Sequence, residues 1–110
     1  MTLNALQDLF TTATVETWHQ HANGGGWVAN TATVAVSAYI GSDAVVGDYA
    51  TVRDQAAVYG NAIVYGQAKV GGQAKVGGHA MIGGRAIVGG HSMVGGHSMI
   101  EWTVDAWVDD

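Results

Sequence analysis

The sequence has no cysteine and no proline, and charged residues are scarce. The lack of cysteine excludes disulfides and thiolate metal sites. Charged side chains make up 12% of the 110 residues, whereas roughly 25% is usual for a globular domain. Much of the outer surface must therefore consist of backbone, small side chains, or apolar side chains that meet something else. The net charge of −5 argues against binding to the phosphate backbone of nucleic acids, which requires a basic surface.

Long apolar segments are also missing. No stretch approaches the ~18 consecutive apolar residues that a membrane span needs, so no membrane association is expected. The N-terminal residues lack both the basic region and the continuous apolar run of a secretory signal. We therefore expect a cytoplasmic protein with one domain, which suits a chain of this length.

Glycine, by contrast, is abundant, with 17 residues, and much of it belongs to a repeat. From Gly26 onward, a small residue and an aliphatic residue two positions later recur every six residues without a gap. The aliphatic positions are Val28, Val34, Ile40, Val46, Val52, Val58, Val64, Val70, Val76, Ile82, Val88, Val94 and Ile100. The small positions are Gly26, Ala32, Ala38, Ala44, Ala50, Ala56, Ala62, Ala68, Ala74, Ala80, Ala86, Ser92 and Ser98. Thirteen uninterrupted hexads indicate a solenoid.

The period of six predicts a coiled chain of short strands. Side chains alternate along a strand, so the small residue and the aliphatic residue both face the interior. A turn must follow each aliphatic residue, and glycine enters the left-handed backbone region there at little cost. The glycines expected to make these turns are Gly41, Gly47, Gly71, Gly77, Gly83, Gly89 and Gly95. Three strands and three corners make a coil of eighteen residues, so the repeat predicts a triangular prism of about four and a half coils.

The motif aliphatic–Gly–x–x–small–x, seen in residues 82–87 as IGGRAI, resembles the signature of the hexapeptide-repeat superfamily. This resemblance implies an all-β fold, a left-handed parallel β-helix, over residues 26–108. Residues 1–25 are then an N-terminal capping or oligomerisation segment. The superfamily includes acyltransferases, γ-type carbonic anhydrases and members without known activity. The segment 18–29 looks like the entry to small β-helix proteins of bacterial and prophage genomes, mostly of unknown function.

Each end of a β-helix has an open strand edge, and uncovered edges can pair with other chains and cause polymerisation. The segment 3–10 has apolar residues at helical spacing, which predicts a short amphipathic helix. Asn4 and Gln7 would form its capping box. We expect this helix to cap the first coil or to reach a neighbouring subunit. The segment 102–110, with two tryptophans and an acidic tail, is predicted to cap the other end.

Residues eighteen apart stack in columns on this prism, so its faces can be compared. The outward column of the first face is apolar throughout and consists of Trp27, Val45, Ile63, Met81 and Met99. A contiguous exposed apolar stripe indicates an interface, and closed homo-oligomers are the usual way to cover one. We expect a homotrimer, as the resemblance implies, with a dimer through the same stripe as the alternative.

Three histidines at predicted corners, His79, His91 and His97, are the candidate metal ligands. His79 and His97 share a column with Asp43 and Asn61, while His91 belongs to the next corner. Structural zinc takes four ligands, and catalytic zinc takes three and a water. Two coils separate Asp43 from His79, so the column offers no nearby carboxylate. We therefore expect no metal, with a γ-carbonic-anhydrase-like site at these histidines as the alternative.

Aromatic and cationic residues mark candidate ligand positions at other corners. These residues are Tyr49, Gln67 and Arg85, which share one corner column, together with Tyr65 and Arg53. An aromatic ring and an arginine beside a groove between subunits can stack a base and hold a phosphate. The set therefore predicts a site for a small nucleotide-like ligand.

The predicted function is that of a non-enzymatic binding or interaction protein without a cofactor or catalytic residue. It would be phage-encoded and act as a homo-oligomer that sequesters a ligand or blocks a partner. The alternative is an acyl-coenzyme A-dependent acyltransferase of the hexapeptide class, in which a histidine acts as general base near a loop between coils. The hexad register is unbroken from 28 to 100, so no such loop is expected.

Overall fold

A computed structural model of the chain describes residues 1–104 and 107–109. These residues form one short helix followed by a succession of two- and three-residue strands. The elements are α1 (Leu3–Leu9), β1 (Trp18–Gln20), β2 (Trp27–Ala29), β3 (Thr33–Val34), β4 (Tyr39–Ile40), β5 (Val45–Val46), β6 (Thr51–Val52), β7 (Ala57–Val58), β8 (Ile63–Val64), β9 (Lys69–Val70), β10 (Lys75–Val76), β11 (Met81–Ile82), β12 (Ile87–Val88), β13 (Met93–Gly95), β14 (Met99–Ile100), β15 (Thr103–Val104) and β16 (Trp107–Asp109). No helix in this part of the chain combines the length and the apolar character needed to cross a membrane.

The strands stack into three sheets, one for each face of a prism. The first face has the order β1-β2-β5-β8-β11-β14, the second β3-β6-β9-β12-β15, and the third β4-β7-β10-β13-β16. Neighbouring strands from β2 to β14 run parallel with a register of eighteen residues, as in the pairing of Val46 with Val64. The structure therefore confirms an all-β parallel solenoid of about four turns. Its left-handed sense stays a prediction from the repeat.

The interior of the prism is filled by the two inward positions of each hexad. The aliphatic residue and the small residue two positions before it are buried in nearly every coil, as predicted from their alternation. Val64, at mid-prism, is completely buried. Alanine predominates at the small position, while the β-branched residues fit the pleated surface beside it. The core is a continuous aliphatic column along the axis.

The corners differ from the sequence-based expectation in one respect. Each corner is made of the three residues after an aliphatic residue, which we call its first, second and third positions. From Asp48 to Gly96, the left-handed conformation falls on the second position of the corner and not on the first, where it was predicted. At the corner after Val76, the Ala80 N–H donates to the Gly77 carbonyl at 3.2 Å, and Gly78 has φ of +64°. A positive φ at the first central residue of the turn is characteristic of a type II′ turn.

The first-position glycines have a different role, because they make room for larger side chains of the preceding coil. A Cβ atom on Gly77 would lie 2.3 Å from the ring of Tyr59, and one on Gly83 would lie 2.2 Å from the ring of Tyr65. Gly71 lies in the same way beneath the side chain of Arg53. A bulky residue at a first position is thus followed by glycine one coil later.

The N-terminal segment packs on the first face. Helix α1 is capped by Thr2, whose side chain accepts the Ala5 N–H at 3.1 Å, and not by Asn4 as predicted. Leu6 is buried, and the Trp27 indole N–H donates to the Met1 carbonyl at 2.9 Å. The apolar cluster between the segment and the first face comprises Leu6, Ala13, Trp18, Trp27, Ala29 and Val45. The segment therefore covers the first two coils of this face.

The same segment also pairs with strand edges of the first coil. Strand β1 runs antiparallel to β2, with His19 opposite Val28. On the third face, the Ile40 N–H donates to the Asn23 carbonyl and the Gly26 N–H donates to the Ile40 carbonyl. These pairings satisfy backbone groups that an open edge would expose.

The last coil is shorter than those before it. Val88 pairs with Val104 and Val94 with Val108, so the register falls from eighteen residues to sixteen and then fourteen. Strands β15 and β16 thus extend the second and third sheets by one strand each. Of the predicted C-terminal cap, residues 105, 106 and 110 lie outside the described residues.

Candidate functional site

The lower half of the first face carries an uncovered apolar surface. The N-terminal segment leaves Trp27 only 8% exposed and Val45 fully buried, so these two residues of the predicted stripe already contact their own chain. Ile63 and Met81 remain partly exposed, and Met99 is 59% exposed. Leu9, at the end of α1, is 49% exposed beside them. We call Leu9, Ile63, Met81 and Met99 the apolar patch.

A groove runs along one side of the apolar patch, at the corner between the third and first faces. It has a volume of about 440 Å³ and is lined by Met1, Leu9, Asp43, Asn61, Ile63, His79, Met81 and His97. The imidazole rings of His79 and His97 stack with centroids 4.9 Å apart and planes 5° apart. Asp43, at the upper end, forms an ion pair with the Met1 amino group at 3.0 Å.

The three histidines that were the candidate metal ligands do not form one group. His79 and His97 lie at the corner between the third and first faces, while His91 lies at the corner between the second and third faces. Among the described residues, no three His, Asp or Glu side chains come together as metal ligands would. The Asp43 carboxylate, which belongs to the same column as His79 and His97, forms its ion pair with the amino terminus. The pair His79–His97 is therefore a stacked pair beside an apolar surface.

A second groove lies at the corner between the first and second faces. Gln67 and Arg85 occupy the same corner position one coil apart, as predicted, and Tyr49 precedes them in the column. The groove has a volume of about 270 Å³ and is lined by Gln67, Lys69, Arg85 and Ile87. Lys69 was not among the predicted ligand residues. The signal was present in the sequence, because Lys69 is the outward residue two positions after Gln67.

The other two predicted ligand residues are placed differently. Tyr65 is at the same corner, but its ring lies over Gly83. Arg53 is at the following corner, across the second face, where its side chain lies over Gly71 and its Nε is 3.9 Å from an Asp54 carboxylate oxygen. Within one chain, Arg53 is therefore separated from Tyr49, Gln67 and Arg85.

Neither a protein-family profile, nor a curated protein, nor a solved structure matches this chain. The expected place in the hexapeptide-repeat superfamily therefore depends on the repeat itself.

Proposed function

We propose that this protein is a non-enzymatic binding protein that works as a homo-oligomer, assembled through the apolar patch. The observation that carries the proposal is the division of the first face into two halves. The upper half is covered by the N-terminal segment, whereas Met99 at the lower end is 59% exposed. Soluble monomers seldom expose contiguous apolar surface of this kind without an interaction partner. A second copy of the chain is the simplest partner, since closed homo-oligomers are the commonest assemblies.

The proposed assembly is a trimer of prisms packed side by side, as the resemblance to the hexapeptide-repeat superfamily implies. A ring of three requires each patch to contact a different surface of its neighbour. A dimer would instead bring two patches together around a twofold axis. A phage origin and a cytoplasmic location belong to the same proposal, as does a role in sequestering a ligand or blocking a partner.

A binding role is also supported by the regular stacking of the coils. The register stays at eighteen residues from Trp27 to Ile100, so this region has no inserted loop to build an acceptor pocket. The acyltransferase alternative requires such a loop. The corner side chains instead form shallow grooves on a rigid scaffold, which suits recognition.

The oligomer can be tested with two pairs of lysine substitutions. In solution the wild type is expected to have three times the chain mass of 11.3 kDa, measured by light scattering after gel filtration. Replacing Met81 and Met99 by lysine should give a monomer, because it places two charges in the patch. The matched control replaces Ile87 and Met93, outward on the second and third faces and 47% and 38% exposed, and should remain a trimer.

Circular dichroism of both double variants checks that the solenoid is retained. A monomeric wild type would refute the proposed assembly. A dimer that only the Met81 and Met99 substitutions dissociate would keep the apolar patch as the interface and replace the trimer by the dimer.

A further inference from the structure

The charges of this protein are separated along the prism axis. No aspartate or glutamate occurs between Asp54 and Glu101, whereas three of the four Lys and Arg residues lie there. These are Lys69, Lys75 and Arg85, and none of them has an ion-pair partner within the described residues. The chain as a whole has a net charge of −5, but this band of unpaired cations is locally positive and therefore attracts an anionic ligand.

Two of these cations face one groove. Lys69 pairs in register with Ile87, and Gln67 stacks above Arg85, so the four residues form a block of two by two on adjacent coils. We propose that this groove, lined by Gln67, Lys69, Arg85 and Ile87, binds the phosphate group of a small phosphomonoester. This inference deepens the proposed binding function and rests on it, because it names the chemical class of a ligand.

The backbone of the same corner shows that an acidic oxygen fits there. One coil above Gly66, the Asp48 carboxylate accepts the Gly66 N–H at 3.0 Å. Asp54 binds the Gly72 N–H in the same way at the next corner. Because position 66 is glycine, the Gly84 N–H has no such acceptor in the part of the chain that the structure describes. An oxygen of a ligand can therefore take the place that a carboxylate takes one coil earlier.

The set of donors favours phosphate over a carboxylate. A phosphomonoester carries a charge of about −1.5 to −2 at neutral pH, which matches one guanidinium and one ammonium. Arginine can bind two phosphate oxygens at once, and lysine adds a point charge. Ile87, which is 47% exposed, gives the groove an apolar wall for the organic part. The volume of about 270 Å³ suits a small ligand.

One acidic side chain opposes this ligand. The Cβ and Cγ atoms of Glu101 lie 3.6 Å and 3.7 Å from the place that a Cβ on Gly84 would occupy. Its negative charge is therefore close to the bound phosphate and should weaken binding. This makes Glu101 useful, because its removal has an effect opposite to that of removing a cation.

The test is a calorimetric titration of the full chain with adenosine 5′-monophosphate, and with adenosine as the uncharged counterpart. Adenosine monophosphate should bind and adenosine should not. Arg85→Gln should weaken binding about tenfold, and Lys69→Gln about fivefold. Lys75→Gln is the matched control, because Lys75 occupies the same place in an identical hexad, QAKVGG, on the third face. It should leave the affinity unchanged, while Glu101→Gln should increase it about twofold to threefold.

The proposal is overturned if the wild type does not bind adenosine monophosphate. It is also overturned if Lys75→Gln weakens binding as much as Lys69→Gln, since the effect would then reflect overall charge. The four groove residues belong to one chain, so the monomeric Met81 and Met99 variant should bind as the wild type does. A trimer without phosphate binding would reject this inference alone, and a phosphate-binding monomer would reject the proposed assembly alone.

Discussion

Replacing Val64 by aspartate is expected to destabilise the protein strongly. Val64 is completely buried at mid-prism and pairs in register with Val46 and Ile82. Its core neighbours are aliphatic or alanine side chains, so a carboxylate there would have neither a counter-charge nor a side-chain donor. The expected loss is about 3–5 kcal/mol. That is a large part of the total stability of about 5–15 kcal/mol that a domain usually has.

Urea denaturation followed by circular dichroism measures this effect. The matched control is Met93→Asp, because Met93 points outward on the third face and is 38% exposed. The control should change the free energy of unfolding by about 0.5 kcal/mol or less. If Val64→Asp unfolded at the same urea concentration as the wild type, the interior register described above would be wrong.

The second large effect is expected from Gly78→Ala. Gly78 holds a φ of +64°, and a Cβ atom there would lie 2.8 Å from backbone atoms of Gly96 in the next coil. The left-handed conformation costs an alanine about 1–2 kcal/mol, and crowding of backbone that cannot move freely adds about 1–3 kcal/mol. We expect a loss of about 2–5 kcal/mol in the free energy of unfolding.

Gly89→Ala is the control for this prediction. Gly89 is a first-position glycine, and a Cβ atom there would meet none of the described residues within 4 Å. This substitution should leave stability unchanged or raise it by about 0.4–1 kcal/mol, because alanine restricts the unfolded chain. Equal losses for both variants would contradict the assignment of the left-handed turn to the second position.

A third variant tests whether a hydrogen bond to the next coil offsets the cost of a side chain at a second position. Asp48 and Asp54 adopt φ values of 54° and 59° at second positions and accept an N–H from the next coil. Gly78→Asp should therefore destabilise less than Gly78→Ala, although aspartate is larger, because its carboxylate can accept the Gly96 N–H. A greater loss for aspartate would show that this hydrogen bond does not compensate for the crowding.

The sequence contains a signal for which position of each corner adopts the left-handed conformation. In a Gly–Gly pair, either glycine can adopt the left-handed conformation, so the pair alone does not identify it. Corners without two glycines identify the left-handed position. Their first positions include Arg53, Tyr59 and Tyr65, whereas Asp48 and Asp54 occupy second positions. Aspartate tolerates the left-handed region far better than most residues, which points to the second position.

The helix at the N-terminus was predicted from its leucine spacing, but its place on the prism was not. Helical spacing shows that one side of α1 is apolar and must be buried. It does not show which surface buries it, since the first face is apolar along its entire length. In the structure, Leu6 packs in one cluster with Trp27 and Val45, so the chain's own N-terminal segment covers this half of the stripe.

The repeat alone predicts the parallel solenoid, its interior residues and the columns on its surface, including Gln67 above Arg85. The reason is that strand alternation and a period of eighteen residues act on every coil alike, so one rule places every residue of the repeat. Which of these columns remain exposed depends on tertiary contacts that the repeat does not specify. The covering of Trp27 depends on contacts with the non-repeating N-terminal segment, and no period in the sequence encodes such contacts.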